Sequence, residues 1–107
     1  MIGDIKDILD ILSFLCDSDE TLEIIAGILD DDGKGEARGI YNTQNVLPII
    51  LKLWNEEKVY AGIPKQTADM LSYEWCRVEK IDMQQIHEYW FRITKKGRDF
   101  FESINNT

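Results

Sequence analysis

Only one histidine, His87, two cysteines and two prolines occur in the 107 residues of this chain. With a single imidazole there is no metal cage of two histidines, and no Ser-His-acid triad has a spare base. His87 stands beside Glu88 at the expected start of a strand and reads as a surface or edge histidine. Cys16 and Cys76 are far apart and neither has a neighbour at metal-ligand spacing, so both read as free core thiols. Long apolar runs are missing too: Leu47 to Leu51 and Tyr89 to Phe91 are far too short to cross a bilayer. The first residues lack a basic start and acids begin at Asp4, which predicts a cytoplasmic protein without a signal peptide. The closing Asn105-Asn106-Thr107 matches the glycosylation pattern, which means nothing without secretion.

Phosphate loops are absent as well. "GKGEARG" lacks the Walker spacing and a preceding strand. "DDDG" invites a calcium reading, but an EF-hand loop opens on an acid and closes on a glutamate around its central glycine. Centring on Gly33 puts Ile28 and Gly39 at those positions, and centring on Gly35 puts Asp30 and Tyr41 there. Carboxylate pairs such as Asp7 with Asp10, or Glu56 with Glu57, fall on polar helix faces or a helix end, with no enclosed pocket to tune them. No catalytic residue, cofactor or metal is expected, and the chain reads as a non-enzyme.

Present in quantity are apolar residues, at 44%, and acids, which give a net charge of −8. One domain of this length buries roughly two thirds of its unfolded surface, enough for a core without staples. The charge is uneven. Residues 1–36 hold eleven acids and two bases, net −9, whereas residues 37–107 hold nine acids and ten bases, net +1. An acidic helical front third and a near-neutral remainder, 37–107, are therefore expected within one domain.

Periodicity places the elements. In "IGDIKDILDILSFLC", Ile5, Ile8, Leu9, Ile11, Leu12, Leu15 and Cys16 share one helical arc, with Lys6, Asp7, Asp10, Ser13 and Asp17 opposite. Phe14 projects among those acids, so it either tucks under a loop or joins Asp7, Asp10 and Asp17 in a surface for a partner. "DSDE" then starts a second helix, Thr21 to Leu29, capped by Asp17 or Ser18 with Leu22, Ile25 and Leu29 on one stripe. "DDDGKGEARG" reads as an acidic turn and "GIYNTQN" as a short strand. The third helix is expected from an Asn45 cap, which keeps Pro48 in its first turn, and runs to about Glu57. "KVYAGI" alternates as a strand that Pro64 stops. "KQTADMLSYEWCRVEK" spaces Ala68, Leu71, Trp75 and Val78 helically, and its length favours a fourth helix, the alternative being a strand in "YEWCRVE". "IDMQQ" leads to a strand "HEYWFRI", and Thr94 caps a last helix with Phe100, Phe101 and Ile104 inward and a tail fraying after Ser103.

Two stretches carry a resemblance. "LPIILKLWNEEKVYAGI" looks like the third helix and first wing strand of the winged-helix domain of bacterial and phage regulators. "YWFRITKKGRDFFESI" looks like its last strand and "T-x-x-G" helix start. Together they cover about a third of the chain. The likeness implies an α+β, mostly helical, winged-helix-like fold of about five helices with a small antiparallel sheet of two or three strands. Residues Pro64 to His87 would be a long insertion in the wing. It implies further that the third helix could enter a major groove with Asn42, Thr43, Gln44, Asn45 and Lys52 as readers. Arg92, Lys95, Lys96 and Arg98 could touch a phosphate strand or simply form a solvated surface paired with the acidic half. Against a duplex stands the front third, whose aspartates repel phosphates. Three function classes follow: a regulatory module that binds a protein partner or a second copy of itself, a DNA-binding regulator, and an acidic inhibitor, immunity protein or DNA mimic steered to a basic partner. The first is preferred, and no membrane partner is expected.

Overall fold

The structure, a computed structural model, describes residues 2–105. Its first helix, α1 (Ile5–Asp17), follows the apolar arc: Ile8, Ile11, Leu12 and Leu15 are buried, while Ile5 at the arc's edge is exposed. The Asp4 side chain accepts from the Asp7 N–H and caps it. Asp7 departs from the expected polar side, being only 2% exposed. What draws it in is remote in sequence: the Tyr41 hydroxyl donates to its Oδ1 at 2.6 Å and the Gly3 N–H to its Oδ2 at 2.8 Å. Phe14 is half-buried and packs against the core.

"DSDE" does not open a helix directly. Glu20–Thr21 form β1, and Thr21 caps α2 (Leu22–Leu29), accepting from the Ile24 N–H at 3.3 Å. Leu22, Ile25 and Leu29 are buried as their spacing requires. The acidic loop is tied down by Asp30, whose carboxylate accepts the N–H groups of Gly39, Ile40 and Tyr41 at 2.7–3.0 Å. The Tyr41 N–H above all, with those of Ile40 and Gly39 and the Arg38 charge, holds this carboxyl below its ordinary value against the opposing effect of burial. No strand forms in "GIYNTQN".

The third helix, α3 (Thr43–Asn55), begins before Asn45 and so carries Pro48 inside it. A reciprocal capping box accounts for the earlier start: Asn42 accepts from the Asn45 N–H at 3.0 Å and Asn45 from the Asn42 N–H at 2.9 Å. Val46, Ile49, Ile50 and Leu53, all buried, outweigh the bond that Pro48 cannot make to the Gln44 carbonyl. The helix stops in a Schellman turn. Glu57 takes a left-handed conformation (φ 61°), and the Lys58 N–H reaches the Leu53 carbonyl at 2.8 Å.

The strand β2 (Val59–Gln66) continues through Pro64, and β3 (Tyr73–Arg77) occupies the place expected for a fourth helix. Pro64 is tolerated because β4 (Trp90–Ile93) pairs with β2 only from Val59 to Gly62, so among the described residues the far half of β2 has β3 as its sole neighbour. His87 lies in a 3-10 helix, Met83–Glu88, and β4 starts only at Trp90, later than "HEYWFRI" suggested. The sheet is antiparallel with four strands in the order β1-β4-β2-β3, against the two or three expected. Roughly half of the chain is helical.

Thr94 ends β4 and caps α4 (Lys95–Asn105). Its hydroxyl donates to the Glu57 carbonyl at 2.6 Å and accepts the Gly97 N–H at 2.9 Å. A Cβ at Gly97 would lie 2.1 Å from the Lys58 carbonyl oxygen, which explains the glycine of "T-x-x-G". Phe100 and Phe101 pack against the core, Ile104 is exposed, and the helix runs on past Ser103. Asn106 and Thr107, and with them the end of the expected frayed tail, lie outside the described residues. No helix among the described residues is long and apolar enough to cross a membrane.

Candidate interaction surface

Strand register divides the sheet into two faces, since residues directly opposite in an antiparallel pair share one. Val59, Ala61, Phe91 and Ile93 point to the helices and are buried. The other face carries Tyr60, Gly62 and Pro64 from β2, Tyr73, Trp75 and Arg77 from β3, and Trp90 and Arg92 from β4. All of these except Gly62 are exposed or half-buried, so among the described residues no helix covers that face.

Its rings are held in place. Trp75 lies over Gly62, where a Cβ would come within 2.2 Å of the indole. The Trp75 Nε1–H donates to the Trp90 carbonyl at 3.1 Å, and the Arg92 guanidinium carbon sits 3.9 Å from the Trp75 ring centre. Arg92 is fixed in turn by Asp19, with Nε at 3.1 Å from Oδ1 and Nη2 at 2.8 Å from Oδ2. This pairing raises the Arg92 pKa above its already high ordinary value. Arg77 stacks on Tyr60 at 4.2 Å. Between Trp75, Trp90, Tyr73, Pro64 and Asp19 lies an open cleft of about 470 Å³.

The β2–β3 hairpin extends this face to an apolar tip. Met70 and Leu71 are 69% and 86% exposed, and Tyr73 behind them is 72% exposed. Met70 holds a left-handed backbone (φ 60°), strain that a side chain accepts only in a fixed turn. The Met70 N–H bonds the Thr67 carbonyl and the Thr67 N–H the Ser72 carbonyl, both at 2.9 Å.

The residues singled out from sequence do not gather in one place. On α1, Asp7 is buried, Asp10 pairs with Lys6 at 3.1 Å, and Asp17 is exposed. Asn42 and Asn45 spend their side chains on the capping box, and the Asn45 Nδ2 also donates to the Ile40 carbonyl at 2.8 Å. Thr43 is half-buried, leaving Gln44 and Lys52 exposed on that helix. Of the basic cluster, Arg92 belongs to the open sheet face and Lys95 pairs with Asp99 at 2.7 Å, while Lys96 and Arg98 are exposed. Lys95 and Lys96 join Arg77 and Tyr60 around a second cleft of about 500 Å³, where Glu57 and Glu79 offset their charge.

Tyr73, Trp75, Trp90, Pro64 and Asp19 were missed. The signal was present as period-two alternation: Tyr73-Trp75-Arg77 is concealed by reading 65–80 as a helix, and without that strand the Trp90-Arg92 alternation in β4 has no second aromatic row beside it. Comparison with family models, curated proteins and solved structures finds no match to this chain.

Proposed function

We propose that the chain is a non-catalytic, winged-helix-like regulatory module that acts by binding a protein partner through the open face of its sheet. One observation carries this reading: four aromatic side chains, Tyr60, Tyr73, Trp75 and Trp90, stand on an uncovered face with two arginines stacked on them. Tyrosine, tryptophan and arginine are the residue types that dominate protein–protein hot spots, and a contiguous exposed apolar patch on a soluble domain marks a contact site. The winged-helix likeness is supported by the order of elements, with three helices ahead of a strand pair that ends in the Thr94-capped helix. Residues 64–87, the insertion, supply the extra strand and the apolar tip.

The duplex-reading alternative loses two of its readers to capping, Asn42 and Asn45, and the front third still carries net −9. A pull-down from the native host with and without nuclease tests the proposal. The expected result is one stoichiometric protein that survives nuclease. Recovery of nucleic acid alone, with every protein lost on nuclease treatment, would overturn it.

A further inference from the structure

The two edges of the sheet differ. At one edge β1 is two residues long and starts with Glu20. At the other, β3 pairs with β2 over all five of its residues without a bulge, and it carries neither proline nor lysine. One bond shows which groups of β3 are free. The Val78 N–H reaches the Ala61 carbonyl at 2.9 Å, and main-chain groups alternate sides along an antiparallel strand. Glu74 and Cys76 therefore bond β2, while the N–H and carbonyl groups of Tyr73, Trp75 and Arg77 point away from it. Among the described residues nothing bonds those outward groups. Sheets usually blunt such an edge with lysine, proline, a bulge or a covering loop, because it templates a further strand.

The sequence of β3 suits a second copy of itself. With Trp75 on a two-fold axis, Tyr73 stands opposite Arg77 of the second copy, Trp75 opposite Trp75, and Glu74 opposite Cys76. Every outward main-chain group then pairs, and no like charges meet. Arg77 stacks on Tyr60 at 4.2 Å and is exposed, so its free side can take the Tyr73 ring of the second copy. Neighbouring registers are worse. An axis at Glu74 opposes two carboxylates, one at Arg77 opposes two guanidiniums, and one at Cys76 leaves Tyr73 beyond the end of the strand. The contact also closes on itself. What stays open among the described strands is the short β1 and the Pro64 end of β2, where the missing N–H blocks a ladder. β3 lies within residues 37–107, net +1, so the acidic front third contributes no residue to the pairing. We infer that the chain forms a two-fold dimer by antiparallel β3–β3 pairing, which joins two four-stranded sheets and their open aromatic faces. Two short strands bury little area, so the dimer belongs with weak, reversible associations.

The test is sedimentation equilibrium of the full chain under reducing conditions, up to about 1 mM. The mass should climb from one chain towards two and stop there. Tyr73→Pro removes an outward N–H at the first strand residue, where proline is tolerated. It should raise the dissociation constant about tenfold or more with the circular dichroism unchanged. Glu74→Cys in a Cys16→Ser background tests the register, and decides the matter should the proline unfold the hairpin. Residues facing each other between hydrogen-bonded pairs lie about 4.5 Å apart at Cα, within disulfide reach. Mild oxidation should give a covalent dimer, and adding Cys76→Ser should abolish it. The inference fails if the mass stays at one chain, if assembly runs past two, or if Tyr73→Pro folds and associates as tightly as wild type. It fails too if Cys76 alone cross-links as well as the Glu74→Cys variant. A lasting monomer that still captures a nuclease-resistant host protein would remove this inference and leave the protein-binding reading standing.

Discussion

Asp7 and Tyr41 form the polar contact on which the front of the molecule turns, joining α1 to the loop before α3 through a hydrogen bond of 2.6 Å. The bond to the Asp7 carboxylate, helped by burial and by the negative charge itself, raises the Tyr41 hydroxyl from its ordinary 10.0 to about 12. A pKa raised by folding means that the neutral phenol stabilises the fold fully below the unfolded value and loses that contribution as pH climbs through the folded one. Tyr41→Phe leaves a buried carboxylate short of a donor and should cost about 1–3 kcal/mol in urea unfolding at neutral pH. The gap between wild type and Tyr41→Phe should narrow between pH 10 and about 12. A gap that stays constant across that window would show that the phenol does not bond the carboxylate. Nothing in the local sequence announced this contact. Helical period put Asp7 among the polar residues of α1, and the group that draws it inward is 34 residues away.

Elements with a strong local pattern were legible. The stripes of α1 and α2, the strand from Val59 and the Thr94 cap of α4 all follow from spacing and end chemistry. The misread elements are those where two local preferences compete. In α3 the cost of an internal proline argued for a late start, yet the Asn42–Asn45 box and the buried stripe beginning at Val46 prevail. Pro48→Ala should therefore stabilise the protein, by up to about 3 kcal/mol, by restoring the bond to the Gln44 carbonyl. Thermal unfolding measures it, and an unchanged or lowered midpoint would mean that the helix has bent to absorb the ring. Residues 65–80 could satisfy either period, with Ala68, Leu71, Trp75 and Val78 at helical spacing and Tyr73, Trp75 and Arg77 at strand spacing. Pairing decides. Gly62 to Gln66 offers a free edge beside which Tyr73–Arg77 can form a ladder, and Gly62 leaves room for the Trp75 ring. β1 is two residues long and depends entirely on its partner β4, so no window of its own sequence could show it.

At the scale of the whole molecule, the acidic front and near-neutral back interlock. Asp19 holds Arg92, Glu23 contacts His87, and Asp30 binds its own loop, which ties parts of the acidic front into the fold. One sheet face is covered by the helices and the other, with its aromatic side chains and apolar hairpin tip, stays open. That open face is the centre of the functional account, and photo-crosslinking in the native host tests it most directly. A photoreactive phenylalanine analogue replacing Tyr73 should yield a nuclease-resistant cross-link to one protein, while the same analogue at Gln44, on the exposed first turn of α3, should yield none. Cross-links to DNA from the Gln44 position, with nothing captured from the Tyr73 position, would contradict the account.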